Sequence, residues 1–271
     1  RRFQLQQRSG QKGQPVSDNT AEKSTFVGHL IELRSRLLKM FAAVFVVFAC
    51  LFPFANELYQ IVSEPLRRYL PEGSSMIATE VASPFLTPFK LTLMLAFVTA
   101  IPIVLGQIWA FIAPGLYKRE RHIVAPLLFS SVALFYGGMA FCYFVVFPLV
   151  FGFFTSVGPE GVAVMTDINL YLNFVIKLML AFGIAFEIPV AVFILAWVGA
   201  IDANKLAQKR PYIIVGCFVV GMLLTPPDII SQTLLAVPMW MLFEVGSFFA
   251  KMIQRSKANK RDQEDTANDS H

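Results

Sequence analysis

Charge is scarce in this chain. Asp, Glu, Lys and Arg make up 15% of its 271 residues, against 56% hydrophobic. A soluble domain has about 25% charged and about 45–50% apolar residues. The deficit excludes an ordinary water-soluble fold and describes a chain whose solvent is mostly lipid. Cysteine is scarce too. Cys50, Cys142 and Cys217 each sit inside an apolar run, with no CxxC pair and no ligand spacing. They read as small hydrophobes, which excludes a disulfide framework. The three histidines, His29, His122 and His271, lack metal-ligand spacing, so no metal site is expected. There is no Walker A motif, no GxGxxG after a strand, no HExxH and no GxSxG elbow. ATP hydrolysis is thereby excluded, and an intramembrane hydrolase lacks a nucleophile–base pair. Neither enzymatic activity nor a cofactor is expected.

What is present is long apolar runs, rich in the 27 phenylalanines. Residues 1–24 are polar and read as a disordered tail. Gln4 to Thr20 offers no apolar core of a cleaved signal peptide. From Phe26 the pattern changes. Phe26, Leu30, Leu33 and Leu37 recur at helical spacing, with His29, Glu32, Arg34, Arg36 and Lys39 on the other faces. This predicts an interfacial amphipathic helix feeding directly into a span. Six apolar segments follow, at about 37–54, 89–112, 123–154, 171–198, 211–224 and 229–250. The fifth is short, bracketed by Pro211 and the turn Thr225-Pro226-Pro227-Asp228. At about 1.5 Å per residue it falls below the hydrocarbon thickness.

The basic residues set the expected orientation. Lys118, Arg119 and Arg121 lie between spans two and three, and Lys205, Lys209 and Arg210 between spans four and five. Lys251, Arg255, Lys257, Lys260 and Arg261 follow span six. The opposite side offers mainly Arg67 and Arg68. The pattern predicts an all-α, six-span membrane protein with both termini in the cytoplasm. Its parts are a polar tail over 1–24, a membrane domain over 25–250 and a charged cytoplasmic tail over 251–271. The net charge of +5 is then topological, and no nucleic acid is expected as a partner. No internal repeat is visible.

Glu187 stands near the middle of span four, beside Pro189. A carboxyl at that depth costs about 2.5–3.5 kcal/mol on the translocon scale and normally faces a bundle interior or a hydrated cavity. Both a structural bond to a neighbouring helix and a functional role fit it. Glu120, in Lys118-Arg119-Glu120-Arg121, reads on residues alone as a solvated loop charge. Glu32 and Arg36 form an i,i+4 pair. Polar residues where span five meets span six, with Met222 and Thr225 before the turn and Asp228 and Gln232 after it, suggest either internal satisfaction or a docking face for another helix.

Several stretches together resemble the TatC family, the C subunits of the twin-arginine protein translocase. They are HLIELRSRL (29–37), MIATEVASPF (76–85), QIWAFIAPGLYKRER (107–121), FYGGMAFCYFVVFPL (135–149), FGIAFEIPVAVF (182–193), QKRPY (208–212) and GMLLTPPD (221–228). The resemblance implies a receptor and core subunit that binds twin-arginine signal peptides at its cytoplasmic face. It would export folded proteins across the bacterial inner membrane, driven by the proton-motive force. It implies signal-peptide contacts at Glu32, Arg34, Phe111 and Glu120. Contacts with the single-span partners TatB and TatA fall at Met222, Thr225 and Gln232. Important intramembrane or structural positions fall at Glu187, Pro65, Pro102 and Asp228. It also implies short fifth and sixth spans and self-association in a multi-subunit complex. The alternative reading of the residues is a proton- or ion-coupled transporter of a small solute, working through Glu187.

Overall fold

A computed structural model describes residues 18–67, 76–112, 124–156, 166–199, 201–225 and 228–268. Among these the chain is helical, apart from turns and one two-residue strand pair. Five helical stretches are long and apolar enough to cross a membrane: Leu30–Ile61, Ser83–Ile112, Ala125–Phe154, Ile168–Val198 and Ile229–Ser256. A sixth, Arg210–Leu224, is apolar but only 15 residues long.

Helix α1 (Asp18–Leu51) runs unbroken from the amphipathic segment into the first pass, as its periodicity predicts. It starts inside the segment expected to be disordered, because Asp18, Asn19 and Thr20 are residue types that open helices. Pro53 tightens the chain into a 3-10 turn at Phe52–Phe54, and α2 (Ala55–Arg67) continues beyond it, through Pro65. None of the side chains described in α1 is buried. It leans on α3 (Ser83–Ile112) through aromatic contacts, with Phe48 edge-on to Phe89 at 5.2 Å between ring centroids.

Prolines shape the longer passes. In α3, Pro102 has no N–H to give to Val98, four residues back. The hydroxyl of Tyr136, on α4 (Val124–Phe141), donates to that freed carbonyl at 2.9 Å. The third pass widens into a π turn at Cys142–Val146 before α5 (Phe147–Ser156). Pro148 lies just beyond and cannot donate to Phe144, which favours the wider turn. The fourth pass breaks into α6 (Ile168–Ala185) and α7 (Ile188–Val198), with Phe186 and Glu187 in the turn. Pro189 again withholds the donor that would join the two halves. Gly199, at φ 81°, ends α7 in the left-handed conformation, which glycine adopts without penalty.

The core lies where α3, α4 and α6 meet and where α5, α6, α9 (Arg210–Leu224) and α10 (Ile229–Asn268) meet. Phe147, Phe182, Leu91, Ile101, Leu178 and Leu235 are fully enclosed there. Glycines let helices touch. A Cβ on Gly138 would lie 2.6 Å from the carbonyl oxygen of Phe182, and one on Gly246 would lie 2.9 Å from Cα of Pro189. Short α8 (Ala203–Gln208) leads into α9.

The sixth span corrects an expectation. It is not short: α10 is one 40-residue helix whose apolar part reaches Ser256. Ile253 is buried, and Gln254 Nε2 donates to the carbonyl of Ile201 at 3.1 Å. The helix and its packing therefore continue past 250, and the charges beyond it decorate a continuing helix. Among the described residues, only the fifth pass is short.

Candidate functional site

The head of α1 carries the first group of predicted residues. Glu32 Oε1 accepts from Arg36 Nη2 at 2.7 Å and from Nε at 3.0 Å. At 100° per residue, Arg34 stands on nearly the opposite side of the helix from Glu32. It is exposed and lines a shallow depression of about 520 Å³ with Ile31, Ser35, Leu38, Lys39 and Ala42. The structure thus places Glu32 and Arg34 on one turn but not on one face. Helices α1 and α3 are antiparallel and registered by Phe48 against Phe89. The head of α1 and the foot of α3 consequently lie at the same end of the molecule. Phe111 is half-buried at that foot. Glu120 lies outside the described residues.

Two residues before Phe111, the Trp109 indole N–H donates to the hydroxyl of Ser131 on α4 at 3.2 Å, both side chains being buried. Ser131 also lies against the carboxyl of Glu187, whose Oε1 is buried with no hydrogen-bond partner. Three passes therefore converge on one intramembrane carboxyl at the break in the fourth. Pro102 lies on the same helix as Trp109, on an exposed face.

The α9–α10 hairpin holds the second group. The Thr225 hydroxyl and N–H both donate to the carbonyl of Gly221, each at 3.0 Å, which closes the end of α9. Asp228 opens α10 by accepting the Ser231 N–H on Oδ1 at 2.7 Å, while its Oδ2 is buried and unpartnered. Gln232 packs its backbone against Gly221. Thr225 and Ser231 are buried, and the hairpin's outward side is formed by Met222, Leu223, Ile229 and Ile230. The free face beside the turn is mainly apolar, with Thr225 and Ser231 turned inward and Thr233 exposed. Met222 is the predicted contact residue with the most open side chain.

At the end opposite the α1 head, which also holds the α9–α10 turn, a polar clamp escaped the sequence reading. Strands β1 (Met76–Ile77) and β2 (Thr166–Asp167) pair in parallel, Met76 with Thr166 and Ile77 with Asp167. Asp167 caps α6 by accepting the N–H groups of Asn169 and Leu170, and takes both the hydroxyl and the N–H of Thr79. The Thr79 hydroxyl, then the backbone N–H bonds, hold its carboxyl down to about 2. Lys90 donates to the side-chain carbonyls of Asn169 at 2.8 Å and Asn173 at 3.3 Å, and Asn169 donates to Glu80 at 3.1 Å. The available signals were Lys90 at the edge of an apolar run and Asp167 heading another. Elsewhere, Arg210 Nη2 meets Glu244 Oε2 at 2.6 Å. No cluster of three metal-ligating side chains occurs among the described residues.

These observations define a multi-pass α-helical membrane protein with a broken fourth pass around a buried carboxyl, a charged helix head at one end and an apolar hairpin turn at the other. The sequence pattern of the family described as "Sec-independent protein translocase protein (TatC)" matches residues 28–238. The TatC proteins of Azotobacter chroococcum and Escherichia coli K12 are 66% identical over 228 residues and 58% identical over 236. The alignments cover 84% and 87% of this chain and 89% and 92% of those proteins. A crystal structure of the twin arginine translocase receptor TatC superposes with a TM-score of 0.75 at 36% identity. That match covers 83% of this chain and 98% of the other. The chain belongs to the TatC family of Sec-independent protein translocase proteins. Membership places it in protein translocation and leaves the solute-transporter reading without support.

Proposed function

We propose that this chain is the signal-peptide receptor and core subunit of its translocase, lying in the bacterial inner membrane with both termini in the cytoplasm. The end bearing the α1 head, the Phe111 foot of α3 and the loop containing Glu120 receives the twin-arginine segment of a folded cargo. Glu32 supports this reading most directly. Its carboxylate already holds a guanidinium, Oε1 accepting from both Nε and Nη2 of Arg36, and a free carboxylate can take the forked donors of Arg that Lys lacks. Glu120 supplies a second carboxylate, Arg34 orients the segment, and Phe111 packs on the apolar part of the signal. Glu187 is the polar group that the proton-motive-force-driven cycle exposes within the membrane. TatB and TatA contact the hairpin around Met222, Thr225 and Gln232, and several copies assemble into one receptor complex.

The test is site-specific photocrosslinking in native membranes from a probe beside the arginine pair of a signal peptide, with a Lys-Lys peptide as control. Crosslinks to the α1 head and to residues 113–123 are expected. They should vanish with Lys-Lys and fall at least tenfold in Glu120→Ala. Equal crosslinking of both peptides would overturn the assignment.

A further inference from the structure

A groove runs along α9 on the side facing the broken fourth pass. It has a volume of about 410 Å³ and is lined by Ile184, Ile188, Gly216, Val220 and Met239, with Tyr212 at one end. Small residues, Ala181, Ala185 and Gly216, leave the space open. Its lining is almost entirely apolar, whereas its mouth is cationic. The Lys209 ammonium lies 5.3 Å from the centroid of the Tyr212 ring. Lys209 and Lys205 are both exposed. Arg210, next in the chain, is engaged by Glu244. No carboxylate among the described residues is paired with Lys209.

We propose that this groove is a binding site for one anionic phospholipid. An acyl chain lies along α9 and the phosphate meets Lys209 at the mouth. Two observations favour a lipid chain over another helix. The charge at the mouth and the apolar wall repeat the two parts of a lipid in order, head then tail. Helix α9 itself spans about 22 Å of a hydrocarbon layer about 30 Å thick, so a lipid seated beside it relieves the mismatch. The site begins at the end of α9 opposite Met222 and Thr225, away from the contacts proposed for partner subunits.

The test is native mass spectrometry of the full chain, extracted in mild detergent and exposed to equal amounts of phosphatidylglycerol and phosphatidylcholine with identical acyl chains. One retained phosphatidylglycerol per chain is expected, preferred roughly fivefold, the effect of one lysine near a charged headgroup. Lys209→Gln should bring the two lipids to parity. Gly216→Leu should abolish retention of both, since a Cβ there meets nothing within 4 Å and the side chain fills only the groove. Ile184→Trp blocks the same space from the opposite wall and should act alike, which guards against a folding defect in either variant. Val219→Leu, outside the lining, should retain the lipid. Equal retention of both lipids by the wild type would overturn the proposal. So would retention unchanged in Gly216→Leu and Ile184→Trp, or a photoreactive residue at 216 capturing a polypeptide in place of lipid.

Discussion

Tyr136 and Pro102 form a matched pair: one residue withholds a donor and the other replaces it. Tyr136→Phe should cost about 0.6–2 kcal/mol, the range of an interhelical hydrogen bond in a membrane. In a Pro102→Ala background the helix regains its own N–H, so the same change should cost less. A double-mutant cycle of unfolding in detergent checks this, and equal costs in both backgrounds would refute the pairing. Asp167 offers a pH test. Its folded carboxyl is held to about 2, below the ordinary value. Its contribution to stability is therefore complete above about pH 4. It is lost as the pH falls through 2. Thermal unfolding between pH 6 and pH 2 should show the wild type losing stability below pH 4, and Asp167→Asn losing less. Sequence reasoning located Glu187 because a carboxyl stands out in an apolar run. It missed Glu80, Lys90 and Asn169 because their contacts join residues 79 and 89 positions apart, and hydropathy carries no long-range pairing. It left open whether the polar residues of the hairpin face inward or outward, because residue type alone does not say which way a helix turns.

The helices repeat this division. The passes were legible as apolar runs, and the short fifth as one bracketed by prolines. The break at Phe186–Glu187 was foreshadowed by Pro189. The π turn at Cys142–Val146 was not, since one extra residue per turn leaves little trace in composition. The sixth helix misled because charges after residue 250 look like a tail, although helix propensity there is high. Truncation after Ala250 removes Ile253 and Gln254 and should lower the midpoint of thermal unfolding in detergent by several degrees. Truncation after Ser256 should change it little. Gly138→Ala meets a backbone carbonyl at 2.6 Å and should cost about 1–3 kcal/mol, read by the same assay. Gly137→Ala, with nothing within 4 Å, should be close to neutral.

For the molecule as a whole, six passes fix which ends share a side. With Cys50, Cys142 and Cys217 replaced, a cysteine at Ser35 and one at Ser256 should react with a membrane-impermeant maleimide from the same face. One at Ala78 should react from the other. Labelling of Ser35 and Ala78 from one side would break the six-pass topology. The opposed polar ends give the bundle its direction: a charged helix head and loops at one end, the Asp167–Thr79 clamp at the other.

Helix α1 leans on its neighbour without surrendering any described side chain to the interior. Of the described helices it leaves the ribosome first, and a helix makes its backbone bonds within itself. It can therefore partition into the bilayer before the remainder of the chain is synthesised. The fourth pass is the opposite case. Its interrupted backbone and buried carboxyl find their surroundings only once α3 and α4 stand beside it. The order of translation thus matches the order of need, with the self-sufficient segment made first and the dependent one delivered to helices already waiting.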